Sequence, residues 1–171
     1  GSLELLIDKE IENARTGKPS GILLKLNSLE DRALIRKLYD ASNAGVPVRL
    51  IIRGICCLVP GVDDLSGRIE AISIVDRFLE HTRVYAFANG GKWSVHLSSA
   101  DWMGRNLDRR IEVAFPILDH TLRRRILDLM EIQWADRVKA RVIDLRQTNP
   151  YRDKDRTSLR TRAQSATHRY L

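Results

Sequence analysis

Two apolar runs of strand length, "GILLKLN" (Gly21 to Asn27) and "VPVRLIIRG" (Val46 to Gly54), flank a stretch in which Leu34, Ile35, Leu38, Tyr39 and Ala41 share one helical face. Near-continuous apolar runs of this kind suit strands covered on both faces. Strand, helix and strand joined by short connections form a right-handed βαβ unit, and therefore a parallel pair with the helix laid across it. The expected class is α/β: a mixed, mostly parallel sheet covered by helices. Ser28 or a neighbour is placed to cap the helix, and Gly45 closes it.

The flanking sequence extends the same pattern. Leu3, Leu6, Ile7, Ile11 and Ala14 predict a first helix that Gly17 and Pro19 stop. Ile55 to Ser66, rich in Gly, Pro and Asp, reads as a loop after the second strand. "IEAISIV" (Ile69 to Val75) alternates as a strand and "DRFLEH" as a helical turn. "TRVYAFANGGKWSVHLSSA" is a hairpin turning at Asn89-Gly90-Gly91. Arg110 to Ile117 predicts a further strand, and Leu118 to Val138 a helix with Leu122, Ile126, Leu129, Met130 and Trp134 on one face. "KARVIDL" is a last short strand.

With 171 residues, one domain with a proper core is expected. Residues 3–145 are assigned to that domain and 146–171 to a basic, partly helical tail. Gly1-Ser2 reads as the scar of tag removal, so the chain is expected to be a fragment whose natural sequence continues upstream. Hydrophobic content of 43% with 30% charged residues is that of a soluble globular protein, and no run approaches the roughly 18 apolar residues of a membrane span. Cys56 and Cys57 are adjacent, which suits neither a disulfide nor a zinc site, and a reducing cytoplasm fits them as packing residues. The net charge of +7 is mostly a tail effect, because from Arg146 onward seven Lys/Arg meet two Asp, leaving 22 basic and 20 acidic residues elsewhere. Global charge is thus a weak argument for a nucleic-acid partner, and 6% aromatic content argues against base stacking.

Three places carry chemistry. Arg53 ends a predicted parallel strand and precedes Gly54; ligands of open α/β sheets bind beyond such ends, where a guanidinium can grip phosphate or carboxylate. His81 lies before a strand, flanked by Glu80 and Arg83. "SSADWMGRNLDRR" brings Ser99, Arg105, Arg109 and Arg110 to another strand end, the ingredients of a phosphate cradle, with helix capping and ion pairs to Asp101, Asp108 and Glu112 as the structural reading. No P-loop, GxGxxG, HExxH or GxSxG run occurs, which excludes the familiar ATPase and hydrolase routes.

"NSLEDRALIRKLYDASNAGVPVRLIIRGICCLVPG", "AISIVDRFLEHTRVYAFANGG" and "SSADWMGRNLDRRIEVAFPILD" together resemble the last, phospholipase D-like domain of the bacterial polyphosphate kinase family, over about Asn27 to Asp144. The resemblance implies reversible transfer of the ATP γ-phosphate to polyphosphate through a phosphohistidine carried by a preceding domain. It implies Arg53 and His81 as catalytic, nucleotide-phosphate ligands and Arg110 as a further phosphate ligand; Ser99 and Arg105 join them on chemistry alone. Mg²⁺ is expected to come with ATP and to take its ligands outside this chain, leaving no metal residue here. The implied partners are ATP or ADP, polyphosphate, the preceding domains and, for the full-length enzyme, further copies of itself as a homo-oligomer, with no specific nucleic acid.

Two other readings stand beside this one: a phospholipase D-like phosphodiesterase, and a non-catalytic binder of polyanions. Against the first, His81-Thr82-Arg83 has arginine where the diesterase H-x-K motif has lysine, Ala88 stands where its Asp would fall, and Ser98-Ser99-Ala100-Asp101 replaces its Gly-Ser run. Only half of a paired motif is present.

Overall fold

The computed structural model describes residues 2–104, 112–153 and 161–171. In chain order come α1 (Ser2–Arg15), β1 (Ile22–Leu26), α2 (Arg32–Asn43), β2 (Val48–Ile52), β3 (Ile69–Ser73) and β4 (Arg83–Phe87). After a 3₁₀ turn at Asn89–Gly91 follow β5 (Ser94–Ser98), β6 (Ala114–Pro116), α3 (His120–Trp134), β7 (Arg141–Val142) and α4 (Ala163–Tyr170). Among the described residues the strands form one sheet in the order β6-β5-β4-β1-β2-β3-β7.

β1 lies at the centre and all five of its residues are buried, as its apolar run, interrupted only by Lys25, suggests. On one face Ile22, Leu24 and Leu26, with Leu50 and Ile52 of β2, pack against Ile7 and Ile11 of α1 and Leu34 and Leu38 of α2. On the other, Leu23, Ile51, Ile72 and Val84 meet Met130, Ile126 and Trp134 of α3. The core therefore has two halves, each holding its helices by burial worth about 1.5–3 kcal/mol per large aliphatic side chain.

The sheet is mixed but not mostly parallel. β1–β2 and β2–β3 are parallel, whereas β1–β4, β4–β5, β5–β6 and β3–β7 are antiparallel. The tight turn at Asn89–Gly91 can join only antiparallel strands, and it adds β4 and β5 beside β1. The predicted strand beginning at Arg110 contributes Ala114–Pro116, an exposed edge where Pro116 costs no ladder bond; Arg110 and Ile111 lie outside the described residues.

Other expectations shift for local reasons. The cap of α2 is Asp31, not Ser28: its carboxylate accepts from the Leu34 N–H at 2.9 Å, while the Ser28 N–H is taken by Asp101. "DRFLEH" forms no helical turn; residues 74–82 are irregular, because six residues are too few to nucleate a helix and their polar groups find partners elsewhere. Leu122, placed on the apolar face of α3, is 53% exposed at the helix start. In the basic tail, α4 docks beside α3. Asp136, fully buried, accepts from the Val138, Lys139 and Ala140 N–H groups and, through its second oxygen, from the Ala163 N–H that opens α4.

Candidate functional site

The ends of β1, β2 and β5 and the start of β4 converge on one side of the sheet. What holds them there is Asp101, buried at 6% exposure after β5. One of its oxygens accepts from the Asn27 N–H at 2.8 Å and the Ser28 N–H at 3.2 Å, and the carboxylate takes Arg83 through Nε and Nη2 at 3.2 and 3.1 Å. Burial acts to raise the pKa of Asp101, but the Arg83 guanidinium and the two amides outweigh it and hold the carboxyl below its usual range. Trp102, with no exposed surface, accepts at its carbonyl from Glu30 and Asp31 and meets the Tyr85 ring edge-on at 5.5 Å. The "SSADW" run is thus the plug that ties β5 to the β1 end.

On this platform Arg53 and His81 meet. Arg53 Nε donates to Asn27 Oδ1 at 2.6 Å, and Asn27 Nδ2 reaches Asp101 at 3.4 Å, so one amide links the buried carboxylate to the guanidinium. Arg53 Nη2 lies 3.2 Å from His81 Nδ1. An arginine can only donate, so Nδ1 accepts and the neutral ring carries its proton on Nε2, on an exposed side chain. Arg83 Nη1 donates to the His81 carbonyl at 3.0 Å and fixes the other side of that residue. Among the described residues, both partners of Arg53 are neutral and no carboxylate pairs with it. Its charge remains available to an anion.

Gly54 is needed here. A Cβ on it would stand 2.8 Å from the Asn27 carbonyl oxygen, and its N–H donates to that same oxygen. The close approach is therefore between the β1 and β2 ends rather than toward a ligand. Beside Arg53 an open cleft of ≈ 880 Å³ runs past Cys56, Ser73, Lys139, Arg141 and Asp144. Arg53 borders the cleft, whereas His81 is not among the residues that line it. Burial pushes the Cys56 thiol up to about 11, which leaves it a poor nucleophile.

The remaining sequence candidates divide. The Ser99 hydroxyl donates to Glu112 and accepts from the Val113 N–H at 3.0 Å, so it closes the β5 end onto the next segment. Arg105 and Arg110 lie outside the described residues. Three contributors escaped the sequence reading: Asn27, the polar residue ending an apolar strand; Lys25, buried within β1 and paired with Glu80; and Gln164. Burial lowers the Lys25 pKa, opposed by Glu80. A lysine inside an apolar strand run was the visible signal, since lysine is rarely buried unpaired.

The fold has solved counterparts. A phospholipase D family member, Nuc from Salmonella typhimurium, superposes with a TM-score of 0.56 over 79% of this chain and 88% of its own, at 15% identity. The fold is therefore phospholipase D-like. The chain belongs to the family of the polyphosphate kinase C-terminal domain 2, whose model matches residues 2–164. It is 53% identical to the polyphosphate kinase of Escherichia coli K12 over 97% of its length, and the match covers 24% of that relative. The crystal structure of polyphosphate kinase from Porphyromonas gingivalis matches with a TM-score of 0.95 at 50% identity, covering 99% of this chain and 26% of the other. The chain spans about a quarter of the length of the curated relatives it matches.

Proposed function

We propose that this domain supplies Arg53 and His81 as phosphate-contacting groups to a polyphosphate kinase active site that preceding domains of the same chain complete. The reaction is reversible transfer of the ATP γ-phosphate to polyphosphate, with ADP as the other product and the phosphohistidine outside this chain. The observation that carries the reading is the Arg53 guanidinium, held by neutral partners at converging strand ends with His81 Nδ1 3.2 Å away. Phosphoryl transfer needs its nucleophile and leaving group in line and its equatorial oxygens neutralised. Arg53 offers the charge and His81 Nε2–H a directed donor, both fixed before the substrate arrives.

Arg105 and Arg110 join this group in the proposal, and Ser99 joins it by exchanging Glu112 for a phosphate oxygen. Magnesium would arrive with the nucleotide. Of the nearby carboxylates, Asp101 is held by Arg83 and Glu80 by Lys25, which leaves neither as a magnesium ligand. Arg83 also weakens a diesterase reading, because the position of the motif lysine is filled by a guanidinium locked in an ion pair. No helix among the described residues is long and apolar enough to cross a membrane; a cytoplasmic homo-oligomer completes the proposal.

The test uses γ-labelled ATP. The 171-residue chain should take up no label and make no polyphosphate, while the longer chain containing it does both. Acid-labile label on His81 would reject the assignment.

A further inference from the structure

The segment that delivers His81 has little to hold it. Residues 74–82 form neither helix nor strand, and Val75, Phe78 and Leu79 are 65%, 65% and 68% exposed, so apolar burial does not fix their path. Polar contacts to α4 do. Arg162 grips Asp76 through Nε at 2.8 Å and Nη2 at 2.6 Å. The Phe78 N–H donates to Gln164 Oε1 at 3.0 Å, and Gln164 Nε2 donates to the Phe78 carbonyl at 2.8 Å and to Glu80 Oε1 at 3.1 Å. The Gln164 amide thus pairs with the Phe78 backbone as a neighbouring strand's peptide would. The other Glu80 oxygen is held by Lys25 from β1 and by Gln133 Nε2 at 3.4 Å.

α4 itself is anchored. Its first N–H is bonded to Asp136, Ala163 is 1% exposed, and Tyr170 Oη donates to Asp128 of α3 at 2.9 Å. From this we infer that α4 is a strap that positions His81, with Gln164 as a positioning residue acting through Phe78 and Glu80. His81 follows Glu80 directly and is fixed downstream by Arg83, so it hangs between two anchors, one made by α4 and Lys25, the other by Asp101. Releasing the upstream anchor leaves the backbone of Glu80 free to shift, and consecutive Cα atoms are only about 3.8 Å apart, so His81 shifts with it. The C-terminal basic segment then has a role in the reaction without touching phosphate.

The inference rests on the proposed role of His81, and the experiment separates the two. In the full-length polyphosphate kinase that carries this domain, Gln164→Met keeps the side chain's length and removes its three hydrogen bonds to Phe78 and Glu80. It should lower kcat roughly tenfold, less than the hundredfold that a full 1 Å misplacement can cost, with the KM for ATP changed by less than about twofold. In a His81→Ala background the same substitution should change the residual rate by less than about twofold, because there is no imidazole left to misplace. Asp76→Asn, which loosens the segment from Arg162 without replacing a residue of α4, should behave the same way and decides the question should Gln164→Met fail to fold. An unchanged kcat in Gln164→Met beside a damaged His81→Ala overturns the strap alone, as does an equal loss in both backgrounds. Near-normal turnover in His81→Ala overturns the site reading, and the strap with it.

Discussion

Arg53 Nη2 and His81 Nδ1 stand 3.2 Å apart although 28 residues of chain separate them. The contact joins the end of β2 to the segment before β4, and Asn27 at the end of β1 holds the arginine from behind at 2.6 Å. Three strand ends therefore set one pair of side chains, and the pair's geometry depends on their spacing.

Gly54 tests that spacing. Gly54→Ala puts a methyl 2.8 Å from the Asn27 oxygen and 3.1 Å from Ser28 Oγ, so the β1 and β2 ends must separate. Such overpacking costs about 1–3 kcal/mol. Denaturant titration should show that loss, and polyphosphate synthesis by the full-length enzyme should fall further than the lost stability explains, because Arg53 moves with its neighbour.

Asp101 tests the platform. Asp101→Ala orphans the buried Asn27 N–H, the half-buried Ser28 N–H and the Arg83 charge, a loss on the order of 3 kcal/mol. The folded carboxyl titrates below its ordinary value near 3.8. Its contribution is accordingly present above about pH 4 and lost as pH falls through the lower folded value. A pH series of thermal midpoints should show that acid limb in the parent and a smaller one in Asp101→Ala; superimposable acid limbs would refute the linkage.

His96 gives the same sign in a higher pH window. Its ring lies edge-on to Phe87 at 6.4 Å, and burial lowers its pKa from 6.5, opposed by a hydrogen bond to the Tyr85 backbone. The unfolded chain then binds the proton more readily, so stability is lost as pH falls through about 6.5. His96→Phe should flatten the midpoint between pH 7 and 5 relative to the parent, and an identical slope would count against it.

The Arg53 charge, unpaired among the described residues, predicts weak, salt-sensitive binding of polyphosphate and ATP to this chain. Affinity should fall steeply toward 1 M salt, where the Debye length is roughly 3 Å. Binding that is constant across the series would exclude an electrostatic site.

The sequence displays what depends on near neighbours. The apolar periodicities of β1, α2 and β2 and the Asn89–Gly91 turn are local properties, and the structure follows them. The quoted motifs likewise carried the family. What sequence periodicity could not show were contacts across long separations: Asp101 reaching Asn27 from 74 residues away, and Gln164 reaching Phe78 from 86. The same cause explains "DRFLEH", whose local pattern suggests a helical turn until Arg162 and Gln164 claim its polar groups. In "SSADWMGRNLDRR" the hydroxyls and the strand end are visible locally, but the partners of Asp101 and Ser99, drawn from beyond the strand, are not.

The central claim is that Arg53 and His81 act on the transferring phosphate, and steady-state polyphosphate synthesis by full-length Arg53→Lys and His81→Ala, read beside their thermal midpoints, tests it most directly. Lysine keeps the charge but cannot hold Asn27, His81 and a phosphate together as the planar fork does. Loss of the imidazole removes a donor worth on the order of 3 kcal/mol at comparable sites, about a hundredfold in kcat. The account predicts losses of that order in His81→Ala and a clear loss in Arg53→Lys, with midpoints close to the parent's because both side chains lie at strand ends outside the core. Near-normal turnover in both variants would contradict it.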